Sequence, residues 1–119
     1  RYANTKTHLI LLARRKEKLE ELSLLCQKKG AIVDIYCVDM ADYDSVIKTA
    51  LTIIDKIPFI DRIILNAGMS LGHKADITPF SDYEYLWRVN FLSNHALLEP
   101  FIPLLQKQKS GHIVFISSL

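Results

Sequence analysis

The hydrophobic and polar positions in the first half of the chain follow two alternating patterns. Residues 7–13 (THLILLA) and 31–40 (AIVDIYCVDM) are nearly continuous apolar runs, and each is followed by a stretch in which apolar residues recur at helical spacing. The first of these stretches stops at Gly30, and Asp42 can cap the second. The pattern predicts strands near 8–13 and 32–38, and helices near 15–29 and 43–56.

The second half of the chain repeats the alternation. IDRIILNAG predicts a third strand near 61–66, HIVFISSL predicts a fourth near 112–117, and the residues between them predict a long helix near 81–108. Four strands that alternate with helices and are apolar on both faces are typical of a parallel sheet covered by helices on both sides. The predicted fold class is therefore α/β, in a single domain.

Two prolines interrupt the pattern of the long helix. Pro100 and Pro103 each lack a backbone donor and clash with the preceding helical turn. We therefore expect a kink or an early end near residues 99–103. Gly111, which follows the predicted helix, is suited to ending it.

Composition and charge exclude several classes of protein. The 119 residues are 50% hydrophobic and 24% charged, which is ordinary for a soluble domain, and 15 basic and 13 acidic residues are mixed along the chain. This balance favours neither a nucleic-acid partner nor a membrane, and no apolar run approaches the roughly 18 residues of a membrane span. Cys26 and Cys37 have no metal-ligand spacing, so we expect no metal site and interpret them as buried thiols in a cytoplasmic protein.

The carboxyl ends of the predicted strands are the places where chemistry is expected. In an open parallel sheet, ligands bind beyond these ends, which here read ARR, VDM, NAG and SSL. The third end is unusual because an apolar strand stops at Asn66, which has two hydrogen-bonding functions, and then at Gly68, which has no Cβ. We expect another group to lie against that strand end.

Taken in order, these strand ends resemble the short-chain dehydrogenase/reductase family. The family's NNAG element is similar to LNAG at 65–68, its helix Asn is similar to Asn90 in RVNFLS, and its G-x-I-V-x-I-S-S strand is similar to GHIVFISS at 111–118. The resemblance extends over essentially the whole chain and implies a Rossmann-type parallel sheet with helices on both faces. Leu65 departs from the family's first Asn, and we expect this departure to be tolerated.

The resemblance implies that the first two strand ends hold a dinucleotide. An enzyme that prefers NAD would place an acid after the first strand, whereas this chain has Arg14 and Arg15, which favour the 2′-phosphate of NADP. Asp39 could accept a hydrogen bond from the adenine amine, and the Met40 amide could donate to the ring. A solvated helix start for the arginines and a solvated loop for Asp39 are the alternatives.

The third and fourth strand ends and the long helix carry the other family positions. By resemblance, Asn66 ties its strand end to neighbouring strands, and the small Ala67 and Gly68 let the backbone lie against the adenosine ribose. Asn90 matches the residue that perturbs the helix and holds a water in a proton relay, and Ser118 matches the catalytic serine that orients the substrate carbonyl. A structural turn at the glycine and a satisfied core amide at Asn90 remain open.

Two family elements are not in this sequence. These are the Gly-rich turn T-G-x-x-x-G-x-G, which places the cofactor pyrophosphate on a helix N-terminus, and the Y-x-x-x-K that follows the catalytic serine. We therefore interpret residues 1–119 as the central part of a single NAD(P)-binding Rossmann domain. The family's first strand would lie between the strands at 7–13 and 61–66, so we expect a gap in the core.

The resemblance implies an oxidoreductase that transfers a hydride between NADP(H) and a carbonyl or alcohol substrate, with NAD as the less favoured cofactor. The 119 residues alone are expected to be inactive, because they lack the Tyr that acts as acid or base. A non-catalytic dinucleotide-binding sensor or scaffold is the alternative. A methyltransferase-like domain is disfavoured by NAG and GHIVFISS together.

The resemblance also implies self-association, because family members commonly pair through the long helix. A homodimer or homotetramer is expected. The residues predicted to supply its apolar surface are Tyr85, Trp87, Val89, Leu92 and Ala96.

Overall fold

The computed structural model describes residues 2–70 and 78–116. Within these ranges the strands are His8–Ala13 (β1), Ile32–Cys37 (β2), Arg62–Leu65 (β3) and His112–Phe115 (β4). The helices are Lys16–Lys28 (α1), Tyr43–Lys56 (α2), Phe80–Trp87 (α3) and Ser93–Gln108 (α4), with a π-helical turn at Arg88–Leu92 between the last two. These bounds confirm the predicted order of strands and helices.

The first compact unit, Arg1–Asp39, is built from β1, α1 and β2. The two strands are parallel, and their register runs from His8 opposite Ile32 to Ala13 opposite Cys37. Helix α1 packs against this strand pair and buries Leu19. The unit is thus a strand, a crossover helix and a neighbouring parallel strand, as the apolar pattern predicts.

The second compact unit, Met40–Leu119, contains the remaining elements. Strands β3 and β4 are parallel and in register from Arg62 opposite His112 to Leu65 opposite Phe115. Helix α2 packs against α4. The buried apolar residues of these two helices are Val46, Ala50, Ile53, Ala96, Leu97, Leu98 and Phe101.

The α/β class and the parallel direction of the strand pairs are confirmed, and although the four strands do not share one ladder, their division agrees with the gap expected between β1 and β3. The described strands form two separate two-stranded sheets, β1 with β2 and β3 with β4. A strand gains ladder hydrogen bonds only from a strand directly beside it. The family resemblance places a further strand between β1 and β3, and these two share no ladder.

Of the two outcomes expected near residues 99–103, a kink or an early end of the long helix, the early end is wrong. Pro100 and Pro103 lie inside α4, which continues to Gln108. A proline inside a helix costs about 3 kcal/mol, and each fully buried large apolar side chain contributes about 1.5–3 kcal/mol. Leu97 and Phe101, both buried on this helix, therefore offset the cost of the prolines.

The long helix ends at Gln108, and Lys109 follows it in the left-handed conformation with φ 54°. Gly111 lies between this end and β4, and its φ of +135° is in a region that L side chains rarely adopt. A Cβ placed on Gly111 would lie 2.7 Å from a methyl carbon of Leu105, so a side chain there would strain the backbone and displace the Leu105 side chain.

Among the described residues, we find no helix that combines the length and the apolarity required to cross a membrane.

Candidate functional site

The carboxyl ends of β1 and β2 lie at one edge of the first unit. Ala13 and Cys37, the last residues of the two strands, are opposite each other, and the Val38 amide donates to the Ala13 carbonyl at 3.0 Å. Arg14 follows one strand and Asp39 follows the other. The structure therefore brings the predicted 2′-phosphate and adenine residues to the same edge.

Both predicted phosphate-binding arginines are exposed at this edge. Arg15 has extended backbone angles, φ −92° and ψ 102°, directly before α1, and its carbonyl accepts from the Leu19 amide at 3.1 Å. Its guanidinium makes no ion pair with another residue of the described part of the chain. An exposed cation beside a helix N-terminus, where the helix dipole is positive, favours an anionic ligand.

The lysines of α1 contribute less to this positive edge than their number suggests. Lys18 pairs with Glu21 at 2.9 Å, and Lys16 lies 3.8 Å from Glu20. Pairs of this kind along one helix partly neutralise their own charge. Arg15, which precedes the helix, therefore contributes more to the positive charge of this edge than these lysines do.

Cys37 is exposed, so the prediction of a buried thiol at this position is wrong, whereas Cys26 is half-buried. The Cys37 thiol donates to the Arg14 carbonyl at 3.2 Å. This hydrogen bond connects the backbone of Arg14 to the last residue of β2.

Asp39 is exposed and Met40 is half-buried in the turn that precedes α2. Asp42, the residue before the first turn of α2, accepts from the Ser45 amide at 3.2 Å and from the Ser45 hydroxyl at 2.6 Å. These bonds, the hydroxyl bond first, hold the pKa of Asp42 below its usual value. The predicted cap is confirmed, and it fixes where α2 begins.

At the end of β3, the predicted ribose-contacting residues are accessible. Asn66 and Gly68 are exposed and Ala67 is half-buried, while the preceding Leu65 is 3% exposed. The Asn66 side chain forms no hydrogen bond with another described residue, so its predicted tie to neighbouring strands stays a prediction. The strand end thus changes from core to surface within one residue.

Gly68 shows why a structural turn does not account for the third strand end. Its φ is not positive, and a Cβ placed on it would meet only Asn90 Oδ1 at 3.7 Å, which is an ordinary contact. Neither backbone strain nor a described neighbour therefore requires glycine here. The exposed backbone of Gly68 leaves room for another group to lie against it, as the sequence predicts.

Asn90 lies in the π-helical turn, and both ends of its side-chain amide form hydrogen bonds with the backbone of one residue. Its Oδ1 accepts from the Met69 amide at 2.7 Å, and its Nδ2 donates to the Met69 carbonyl at 2.8 Å. The half-buried amide is thus satisfied by the segment that follows Gly68. Met69, which sequence reasoning did not single out, is the partner that fixes Asn90.

Two further residues that sequence reasoning missed hold the π-helical turn. The Ser93 amide donates to the Arg88 carbonyl five residues back, the hydrogen bond that defines a π-helix. The Ser93 hydroxyl donates to the Val89 carbonyl at 2.6 Å, and Asn94 Nδ2 donates to the Asn90 carbonyl at 3.0 Å. The signal in the sequence is a pair of polar residues, SN, inside an otherwise apolar stretch.

Arg88, the first residue of the π-helical turn, anchors that turn to α2. Its guanidinium carbon lies 5.0 Å from the centre of the Tyr43 ring, and one of its nitrogens lies 3.7 Å from a Glu84 carboxylate oxygen. A cation over an aromatic face is an attractive contact. Contacts of Arg88 with α2 and α3 therefore stabilise the turn in addition to the hydrogen bonds of Ser93 and Asn94.

A second side-chain amide on the long helix fixes the other end of β3. Gln108 Oε1 accepts from the Ile60 amide at 3.3 Å, and Gln108 Nε2 donates to the Ile60 carbonyl at 2.7 Å and to the Ser110 carbonyl at 2.6 Å. Ile60 lies two residues before β3 and Met69 four residues after it. The segments on both sides of the strand are thus bonded through reciprocal amide contacts to the same helical segment.

The outer face of α3 and the π-helical turn is aromatic and open. Phe80, Tyr83, Trp87 and Phe91 are between 52% and 80% exposed, and Trp87 and Phe91 pack edge to face with ring centres 5.5 Å apart. Tyr83, Leu86, Trp87, Asn90 and Phe91 line an open groove of about 410 Å³ there. We call the four exposed aromatic residues the aromatic row.

The aromatic row differs from the apolar surface that the sequence predicted. Of the five residues expected there, Trp87 and Leu92 are exposed, whereas Tyr85 and Val89 are half-buried and Ala96 is buried. The prediction is wrong for Ala96, because α4 packs against α2 and Ala96 is buried, whereas the half-buried Tyr85 and Val89 still expose part of their apolar surface.

The predicted catalytic serine, Ser118, lies outside the described residues.

Comparisons with known proteins agree with this arrangement. The sequence matches the short chain dehydrogenase family over residues 1–119. A sepiapterin reductase of Chlorobaculum tepidum is 32% identical over 112 residues, which are 93% of this chain and 46% of that protein. A metagenomic short-chain oxidoreductase, solved in complex with NADP, has a TM-score of 0.87 and 26% identity and covers 94% of this chain, which corresponds to 51% of its own.

The same architecture occurs with the other nicotinamide cofactor. A solved NAD⁺-bound xylitol dehydrogenase has a TM-score of 0.85 with 24% identity, over 94% of this chain and 44% of its own. At that identity the likeness shows the fold alone.

Parallel strands joined by helices, with polar and cationic residues at the strand ends, define a Rossmann-type α/β protein. The match over every residue shows that the chain belongs to the short chain dehydrogenase family of oxidoreductases. The chain spans less than half the length of the curated relatives it matches, 46% in the case of the sepiapterin reductase.

Proposed function

We propose that these residues are the central part of an NADP-dependent member of the family, which transfers a hydride between NADP(H) and a carbonyl or alcohol substrate. The observation that carries the proposal is the position of Arg14 and Arg15, exposed at the end of β1 in a chain of this family. A guanidinium there binds a 2′-phosphate through charge-assisted hydrogen bonds, whereas an acid would repel it.

The other exposed residues at the strand ends fit the rest of the cofactor. Asp39 can accept from the exocyclic amine of adenine, and the Met40 amide can donate to the ring. The accessible backbone of Ala67 and Gly68 allows a ribose to lie against it, because Gly68 has no side chain and Ala67 has only a methyl group.

Charge at the first strand end distinguishes the two nicotinamide cofactors better than the fold does. The NADP-bound short-chain oxidoreductase and the NAD⁺-bound xylitol dehydrogenase share this architecture. The chain has Ala13, Arg14 and Arg15 where an NAD-preferring protein would place an acid. This arrangement supports NADP over NAD.

In the proposed reaction, bound NADPH supplies the hydride. Ser118 would orient and polarise the substrate carbonyl through its hydroxyl. Asn90, whose side chain is held by Met69, would present its backbone to a water that carries a proton. The proton itself must come from a group beyond these 119 residues, in the family the Tyr of Y-x-x-x-K.

The protein is further proposed to be at least a homodimer that pairs through α3 and the π-helical turn. The members of the aromatic row are spaced by three or four residues, so they share one helix face. A contiguous exposed aromatic face is typical of a surface that another protein covers. A second copy of the chain can cover it symmetrically, row against row.

Turnover in the intact protein tests the proposed reaction. NADPH oxidation should be observed with at least some members of a panel of ketones, aldehydes and quinones. Ser118→Ala should lower kcat by about 10²–10³-fold, the usual cost of losing one preorganised hydrogen-bond donor, with a smaller effect on KM. Ser81→Ala, at an exposed position in the first turn of α3, is the matched control.

A negative result would favour a different function. If the intact protein binds NADPH tightly, has no Y-x-x-x-K and turns over none of the panel, the dinucleotide-binding sensor replaces the enzyme. If Ser118→Ala retains full kcat on a substrate that the unaltered protein reduces, the proposed role of the serine is wrong.

A further inference from the structure

We infer that Asn94 is a positioning residue, which fixes Asn90 by holding the carbonyl of that residue in the π-helical turn. The inference rests on the proposed function in so far as it assigns Asn90 a role in proton transfer. Asn94 does not contact Met69 in the described hydrogen bonds, so it acts through the Asn90 backbone.

The hydrogen bond fixes the orientation of the Asn94 amide. Its Nδ2 donates to the Asn90 carbonyl at 3.0 Å, and a carbonyl can only accept, so the two ends of the amide cannot be exchanged. Asn94 is 9% exposed, and its buried Oδ1 has no hydrogen-bond partner among the described residues. A buried acceptor without a partner lowers stability, so the chain retains this side chain at a cost.

The geometry of the turn explains what Asn94 contributes. In a regular helix each backbone amide bonds to the carbonyl four residues back, but the Ser93 amide bonds to Arg88, five residues back. The side chains of Ser93 and Asn94 instead bond to the carbonyls four residues before them, those of Val89 and Asn90. They stabilise the widened turn with two additional side-chain hydrogen bonds.

The position of Asn90 depends on this turn. Its side chain reaches Met69 with two short hydrogen bonds, at 2.7 and 2.8 Å, and both require the Asn90 backbone to stay in its present place. If the turn relaxed to a regular helix, the direction of the Asn90 side chain would rotate. Asn94 therefore lowers the stability of the fold through its unpartnered Oδ1, while its Nδ2 holds the Asn90 backbone in position.

One substitution at Asn94 should therefore preserve or raise stability and at the same time loosen the contact between Asn90 and Met69. In the intact protein, Asn94→Leu removes the unpartnered Oδ1 together with the bond to Asn90. The melting temperature should stay unchanged or rise, while hydrogen–deuterium exchange at the Met69 amide should become about tenfold faster, because its acceptor Asn90 Oδ1 is less firmly held. Exchange in β1 and β2 should not change.

Two variants make this result specific. Thr49→Val removes a bond of the same kind, from the Thr49 hydroxyl to the Ser45 carbonyl at 2.7 Å in α2, and should leave Met69 exchange unchanged. Asn94→Ser keeps a donor that can reach the carbonyl four residues back, as the Ser93 hydroxyl does, and should restore slow exchange at Met69 in full or in part. If the leucine variant does not fold, Asn94→Ser can be compared with Asn94→Ala instead.

Two outcomes would overturn the inference. One is an unchanged exchange rate at Met69 in Asn94→Leu or, if that variant does not fold, equally fast exchange in Asn94→Ser and Asn94→Ala. The other is faster exchange throughout the chain with a lower melting temperature, which would indicate a purely structural residue. Because the exchange measurement needs no turnover, it can support the positioning role even if the intact protein reduces nothing, in which case only the proposed function fails.

Discussion

At the scale of single residues, charge at one edge of the first unit decides which anion can bind. Arg14 and Arg15 are exposed where β1 ends, and the lysines of the following helix are paired with its glutamates. The Cys37 thiol holds the Arg14 backbone at the end of β2. The side chain of Arg14 therefore starts from a fixed backbone position beside the predicted adenine residues.

Replacing Arg14 by alanine should weaken NADP binding to the intact protein by about 1–3 kcal/mol, because a charged hydrogen bond to the 2′-phosphate is lost. NAD has no such phosphate, so its affinity should change little. Titration of the protein with NADPH and with NADH measures both affinities. Lys28→Ala, at the far end of α1, is the control. Equal weakening of NADP and NAD would show that Arg14 does not read the 2′-phosphate.

Asp42 gives the capped end of α2 a defined pH dependence. Its pKa is lowered in the folded state, so its contribution to stability is present above the unfolded-state pKa and is lost as the pH falls through the folded-state pKa. The melting temperature of Asp42→Ala should therefore lie below that of the unaltered protein at neutral pH. The difference in melting temperature between the two proteins should become smaller as the pH is lowered.

Ser45→Ala provides the matched test of the cause of this pH dependence. The Ser45 hydroxyl makes the largest contribution to lowering the pKa of Asp42, so its removal should move the acid transition toward higher pH. A difference between Asp42→Ala and the unaltered protein that stays constant between neutral and strongly acidic pH would contradict the capping role.

At the scale of secondary structure, side-chain amides of one helical segment bond the chain on both sides of β3. Gln108 of α4 binds Ile60, two residues before the strand, and Asn90 of the π-helical turn binds Met69, four residues after it. The two amides thus connect the segments before and after β3 to the same run of helix.

Replacing Gln108 by leucine should lower the free energy of unfolding by about 1–3 kcal/mol, because the Ile60 amide and carbonyl lose their partner in a partly buried place. Urea unfolding of the intact protein measures the loss. Gln106→Leu, an exposed position in the same helix, should have little effect. Similar losses in both variants would mean that the Ile60 contact adds no stability beyond that of the helix.

At the scale of the whole molecule, the two compact units each contain one parallel strand pair, and the second unit also exposes the aromatic row. Exposed aromatic residues at helical spacing lower the solubility of a monomer unless another surface covers them. Assembly through this face is therefore the physical expectation for the intact protein.

Trp87→Glu should dissociate the intact protein toward monomers, because it places a charge in the centre of the aromatic row. Trp87 is 61% exposed in the single chain, so the substitution should alter folding of the protomer little. Light scattering at tens of micromolar compares the variant with Leu24→Glu, which changes a residue of α1 that is 60% exposed. A monomeric unaltered protein, or equal dissociation by both variants, would exclude pairing through this face.

Much of the candidate site follows from the sequence because its residues occupy strand ends, and strands are recognisable from local apolar runs. Arg14, Asp39 and Asn66 were placed in this way, and each stands directly beyond a strand or one residue further along. Roles that depend on substrate or cofactor contact, including that of Ser118, stay predictions.

The sequence by itself determined the features that neighbouring residues encode. Helix α2 has the predicted bounds, because Asp42 caps it and Val46, Ala50 and Ile53 form its buried stripe within a few residues of one another. The α/β class and the parallel pairs follow from the order of such segments. Periodicity and capping are short-range properties, so they can be read along the chain.

Only the tertiary structure decided which distant groups meet. The reciprocal contacts of Asn90 with Met69 and of Gln108 with Ile60 join residues 21 and 48 positions apart, and no local pattern specifies such pairs. The continuation of α4 through Pro100 and Pro103 likewise depends on packing against α2, which outweighs the local helix preference. Long-range contacts depend on how all elements pack together, and this is why the π-helical turn that places Asn90 emerged only from the folded chain.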